Sequence, residues 1–221
     1  MKNINILGTK LHERDAREAL FLTYRFLNEG SVHTILYLTK TVLLDAVKDE
    51  KKKAWLESAD LTLWGETELL KAAEISSKHR YREVRERDYL KIFLKGIANV
   101  HKSILTISDT EEHAEALKRE LLELQEGVTI SGTMTIRDVE KEQENVINEI
   151  NMIAPTVIIT RLPFSVQRKW LEKCKPYLNT IIWMGLPEDF DCVCKKEITI
   201  SKMGKRFLNL LFNRQVNRYK K

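Results

Sequence analysis

Cysteine, proline and glycine are all scarce: three, four and eight among 221 residues. Cys174, Cys192 and Cys194 do not make a disulfide framework. The Cys192/Cys194 pair lacks the second pair and the nearby histidine that a structural zinc site needs, so no metal is expected. No apolar run approaches the ~18 residues of a membrane span. The opening MKNINILG has neither the basic head nor the long apolar body of a signal peptide. A cytoplasmic location is therefore expected. Neither G-x-x-x-x-G-K-[ST] nor G-x-G-x-x-G occurs, which removes the P-loop and dinucleotide fingerprints. The five histidines are scattered, and none sits at motif spacing from a serine or cysteine.

What is present is alternation. An apolar fraction of 43% suits one core, and a mean hydropathy of -0.33 is that of a water-soluble chain. Strands are predicted at Asn3–Gly8, His33–Leu38, Ala59–Trp64, Ser103–Ser108, Val128–Gly132, Thr156–Thr160 and Ile181–Met184. Between them, helical periodicity marks Glu13–Asn28, a segment capped by Thr39, Thr67–Ile75, Asp88–Val100, Glu111–Leu124, Arg137–Ile153 and Phe164–Lys175. Ser76–Arg87, dense in charge and poor in apolar residues, is predicted as a loop over the sheet. The pattern implies an α/β, Rossmann-like, mostly parallel sheet with helices on both faces, spanning residues 1–194.

Residues 195–221 differ. Nine Lys/Arg against one Glu give this segment +8, leaving -3 for the rest of a chain of net charge +5. Phe207, Leu208, Leu211 and Phe212 stand among Lys205, Arg206, Arg214, Arg218, Lys220 and Lys221. A basic C-terminal helix is expected, and two roles suit it. It lies on an anionic membrane surface, with Lys205, Arg206, Phe207, Leu211, Phe212, Arg214 and Arg218 as contacts, or it packs on the domain with its cations in water. Large apolar residues and a lone aromatic tip, Tyr219, weigh against nucleic-acid binding, which stays the third class of function.

In open parallel sheets ligands sit beyond the carboxyl ends of the strands. That puts Arg161, Pro163, Gln167 and Gly185–Asp191 at the expected site edge. Signposts run in order along the chain: the opening Ile6-Leu7-Gly8, Ala46-x-x-Asp49, Ala59-Asp60-Leu61, a charged turn into Asp88, Gly132, Ile150-Asn151, Pro155, Ser165 to Trp170, and Gly185 to Asp191. In this order and spacing the chain resembles the WecG/TagA/CpsF glycosyltransferases over about Ile4 to Asp191.

That resemblance implies transfer of a sugar, typically N-acetylmannosamine, from a UDP-sugar to a polyprenol-linked acceptor in bacterial surface polysaccharide (teichoic acid or capsule) synthesis. It implies no resident cofactor and a peripheral place at the inner face of the plasma membrane. The family's P-D-G loop carries a base Asp, because a sugar hydroxyl needs a carboxylate to take its proton during attack. Here that position is Gly65, with Glu66 one residue on, either a substitute base or simply the acid that opens the next helix. The family's diphosphate arginine falls on Glu83, with Arg82, Arg85 and Arg87 beside it. Its T-x-N is answered by Tyr37-Leu38-Thr39, and its glycine turn by Ile107 to Glu111. Thr39, Gly65, Arg82, Arg85, Gln167 and Gly185 are the expected substrate contacts. Asp189-Phe190-Asp191 also spells D-x-D, a diphosphate-metal motif that the family's own F-D accounts for in part. The expectation is a degenerate, non-catalytic member working as a homo-oligomer or beside an active paralogue. The alternative is an active transferase using Glu66 and the Arg82–Arg87 cluster.

Overall fold

A computed structural model describes residues 3–136, 143–193 and 202–219, with side chains placed except at 143 and 202–207. The chain opens with β1 (Asn3–Ile6) and β2 (Thr9–His12), an antiparallel hairpin turning at Leu7–Gly8 where one strand is expected from sequence. There follow α1 (Ala16–Phe26), β3 (His33–Leu38), α2 (Lys40–Ala46), α3 (Glu50–Glu57), β4 (Leu61–Trp64), α4 (Thr67–Ala72), α5 (Lys78–Glu86) and α6 (Asp88–Asn99). Then come β5 (Ser103–Ser108), α7 (Glu111–Leu124), β6 (Thr129–Thr135), α8 (Gln143–Ile153), β7 (Val157–Arg161), α9 (Phe164–Cys174), β8 (Ile182–Leu186) and α10 (Lys202–Tyr219).

Strands β3 to β8 form one six-stranded sheet in the order β4-β3-β8-β7-β5-β6, every pairing parallel. All residues of β3 and β8 are buried, which is why they read as unbroken apolar runs rather than alternating ones. Alternate side chains feed opposite cores. Ile35 and Tyr37 meet Ala19, Phe93 and Leu117, from α1, α6 and α7. Leu36 and Leu38 pack with Leu43, Leu56 and Leu69, from α2, α3 and α4. On that second face Trp183 stacks on Trp170 of α9 at 4.9 Å between ring centroids. The fold is thus the expected Rossmann-like α/β arrangement.

Ser76–Arg87 is not a loop: Lys78–Glu86 is helical, capped by Ser77, whose hydroxyl accepts from the Arg80 N–H. Charge density misled because Glu83 is buried and satisfied within the helix by Arg80 at 2.9 Å and His79 at 3.2 Å. The charged stretch after Val47 is likewise helix α3, capped by Asp49 accepting from Lys51 and Lys52. Of the helix expected at Arg137–Ile153, residues 137–142 lie outside the described residues.

The C-terminal helix packs on α2 rather than standing clear of the domain. Phe212 and Val216 are buried in the same core as Leu43 and the β1–β2 hairpin. Phe212, expected to face a membrane, is therefore a core residue. Leu210, Leu211, Arg214 and Arg218 point outward. Lys205, Arg206 and Phe207 lie on the helix, but their side chains are outside the described set. Among the described residues no helix is long and apolar enough to cross a membrane.

Candidate functional site

The carboxyl ends of β3, β4 and β8 converge on an open pocket of about 430 Å³, lined by Thr39, Lys40, Glu66, Arg85, Arg87 and Asp189 among others. Strand ends position four of them, β3 running into Thr39 and Lys40, β4 into Gly65 and Glu66, and β8 into Glu188 and Asp189, while Arg85 and Arg87 come from the end of α5. This is the edge the sheet topology favours for a ligand.

Thr39 caps α2, its hydroxyl accepting from the Val42 N–H. The same hydroxyl donates to Asp189 at 3.3 Å, and Thr41 donates to the other Asp189 oxygen at 2.9 Å. Thr39 is buried, so this expected substrate contact serves the fold. Lys40, which sequence reasoning missed, is buried as well. Its ammonium lies 3.1 Å from Glu66, and its backbone N–H donates to the same carboxylate oxygen at 3.2 Å. Burial pushes the Glu66 carboxyl above its ordinary range, against the pull of Lys40. A lysine directly after a buried strand was the available signal, since such a charge requires a partner.

Gly65 is where the chemistry was expected, and the space there is filled. A Cβ at this position would lie 2.6 Å from the Leu38 carbonyl oxygen and 3.3 Å from the Phe190 ring. The Gly65 N–H donates to that carbonyl at 2.8 Å, continuing the ladder between β3 and β4. Phe190 is buried, 4.5 Å from the Tyr37 ring, with the Arg87 guanidinium 4.3 Å above it. Arg87 donates to the carbonyls of Gly65 at 2.6 Å, Val84 at 3.0 Å and Asp191 at 2.9 Å. It sits at φ 60 between α5 and α6, held there by these bonds.

The remaining expected contacts divide sharply. Arg82 and Arg85 are exposed, and only Arg85 lines the pocket. Glu83 faces away from it, accepting from Arg80 and from the Ala16 N–H at the start of α1. Gln167 is buried, and its amide donates to Leu162 and Leu186 carbonyls at 2.8 Å each, clamping the ends of β7 and β8. Gly185 lies under it: a Cβ there would come 2.0 Å from the Gln167 side-chain oxygen. Both were expected at the substrate, and both are consumed inside the fold. Arg161, expected at the edge, is tied to Glu120 and to the Cys192 sulfur. Burial pushes the Cys192 thiol up to about 12.

The edge that remains is acidic. Glu66, Glu68, Asp189 and, beyond it, Glu188 stand against the three cations Lys40, Arg85 and Arg87. Burial, with Asp109 and Asp189 nearby, pushes the Glu188 carboxyl up. In the D-x-D stretch only Asp189 turns toward Thr39 and Thr41. Phe190 is buried, and a carboxylate oxygen of Asp191 accepts from the Val193 N–H at 3.0 Å. Among the described residues no group of three His, Cys, Asp or Glu is arranged to hold a metal ion.

A family model described as "Glycosyl transferase WecG/TagA/CpsF family" matches residues 4–207. Among curated proteins, none matches this sequence. The crystal structure of the C-terminal part of the Fun30 ATPase domain aligns at 12% identity and a TM-score of 0.32, over 93% of this chain and 83% of that one. That likeness is too loose to bear on function.

Proposed function

The chain belongs to the WecG/TagA/CpsF glycosyltransferase family, and from that premise we propose that it is a non-catalytic member serving as a partner subunit in bacterial surface-polysaccharide assembly. The observation that carries this reading is the closed space at Gly65. Where the family resemblance implies a carboxylate base, there is no side chain, and the Leu38 carbonyl and Phe190 ring leave no volume for one. Attack by a sugar hydroxyl needs a carboxylate within hydrogen-bond reach of the proton it takes.

The surroundings support the same reading. A departing diphosphate needs cations at its oxygens. Glu83 holds the arginine position and pairs with Arg80 instead. Arg87 spends its donors on backbone carbonyls, and the acids of the edge would repel a diphosphate.

A second reading has one observation in its favour. Glu66 lines the open pocket near Arg85, and burial raises its pKa, the direction that makes a carboxylate a stronger base. On that reading the chain moves a sugar from a UDP-sugar to a polyprenol-linked acceptor, and the Lys40 contact breaks when the acceptor binds. Calorimetric titration with UDP and UDP-N-acetylmannosamine separates the two. The non-catalytic reading expects neither binding nor turnover. Micromolar binding together with turnover that Glu66→Gln abolishes overturns it.

For the outer face of α10 we propose contact with an anionic membrane surface, through Leu211, Arg214 and Arg218. This places the protein peripherally at the inner face of the plasma membrane, beside an active paralogue or another copy of itself. Liposome flotation tests the surface, and co-purification with the paralogue tests the partner.

A further inference from the structure

At the opposite end of the sheet, below the amino ends of β3, β4 and β8, lies a larger hollow of about 550 Å³. None of the substrate contacts that the family resemblance implies lines this hollow, and its volume is in the range of small-molecule sites. Its walls are Trp55 of α3, Leu171 of α9 and Leu178, and its polar side is Lys175 and Thr34. Trp55 is half-buried, while the other three tryptophans, Trp64, Trp170 and Trp183, are buried. Part of the Trp55 side chain is thus accessible beside a preorganised polar set. The Lys175 ammonium donates to Thr34 Oγ1 at 3.0 Å and to Asp60 at 3.4 Å, and Asp60 accepts from the Thr34 N–H at 2.7 Å.

The charges here cancel in pairs. Lys175 is balanced by Asp60, and Glu172, which also lines the hollow, is balanced by Arg168 at 2.8 Å. A phosphate or carboxylate ligand would find no uncompensated cation and two carboxylates close by. A purely apolar ligand would cover Lys175 and Glu172, which line the hollow, without satisfying them, which costs free energy. The ligand class that suits all of this is neutral, with one apolar face and a rim of hydroxyls. Its C–H face would lie on Trp55 and the two leucines, while its hydroxyls accept from Lys175 and donate to Glu172, the carboxylate that lines the hollow.

We propose that this hollow is a binding site for a neutral pyranose, a mono- or disaccharide segment of a glycan. It stands independently of the reading of the carboxyl edge, because it shares no residue with that pocket. The test is titration of the full chain with the N-acetylglucosamine disaccharide and with maltose, following the four tryptophan indole N–H signals by NMR. One signal is expected to move saturably, and it is the one missing from Trp55→Phe. Lys175→Gln is expected to raise the midpoint about tenfold, the effect of losing one good polar contact. Trp55→Ala is expected to abolish binding, and because it also thins the core around Phe164, the Lys175→Gln result decides if that variant unfolds. An unmoved Trp55 signal with both sugars overturns the proposal. So does equal binding by N-acetylneuraminic acid, whose carboxylate the paired charges should reject, and so does an unchanged midpoint in Lys175→Gln.

Discussion

Putting an aspartate back at position 65 is expected to damage the protein without making it an enzyme. The Cβ alone would sit 2.6 Å from the Leu38 oxygen and 3.3 Å from Phe190. The carbonyl cannot yield, because the Gly65 N–H already bonds to it and it belongs to the β3 end of the sheet. The ring can move by a few tenths of an ångström only at the expense of its contacts with Tyr37 and Arg87. Overpacking of this kind costs about 1–3 kcal/mol. A carboxylate pressed against a carbonyl oxygen adds an unsatisfied, repelled group, about 1–3 kcal/mol more. In a domain of this size the sum lowers Tm by on the order of 5–15 °C. Thermal and urea unfolding of Gly65→Ala and Gly65→Asp separate the two contributions, the alanine carrying the steric part alone. Adding Phe190→Ala should recover little, since the backbone oxygen remains. A Gly65→Asp protein as stable as the parent would refute the packing argument, and with it the observation on which the non-catalytic reading rests.

Gln167→Ala should cost about 2–4 kcal/mol by urea unfolding, because two buried carbonyls at the ends of β7 and β8 lose their donor. Burial raises the folded-state pKa of Glu66, so its contribution favours folding at low pH. That contribution is full below the ordinary value near 4.5 and fades as pH rises through the raised value. The urea midpoint of the parent relative to Glu66→Gln should therefore fall across weakly acidic pH, and a constant difference would contradict the burial. On the C-terminal helix, Phe212→Ala should cost about 3–5 kcal/mol of stability. Leu211→Ser with Arg214→Glu should change stability by only about 0.5 kcal/mol, yet weaken flotation with anionic liposomes. The reverse pattern would mean that the faces of α10 are misassigned.

Local pattern carried most of the fold. His33–Leu38, Ser103–Ser108 and Glu111–Leu124 appear within the bounds that periodicity implies, as does the cap at Thr39. Where periodicity was drowned by charge, at Lys78–Glu86 and Glu50–Glu57, helix was missed, because the stabilising pairs and caps are made by the same residues that look like loop. The candidate site was legible only as positions. Thr39, Gly65, Glu66, Arg85 and Asp189 do gather at one pocket, whereas Gln167 and Gly185 are buried, since a polar residue in the first turns of a helix gives no sign of which way its amide points.

The sequence by itself settled the α/β alternation, the buried parallel strands and the order of family signposts, all of which depend on neighbours a few residues apart. Only the tertiary structure decided whether the place of the missing aspartate is open or occupied. Phe190 reaches Gly65 from the far end of the chain, Lys40 finds Glu66 across two strand ends, and Arg87 ties the loop between them. Those meetings are set by strand order, β4-β3-β8, which no local pattern encodes. They leave no room for a side chain at Gly65, while the pocket beside it stays open.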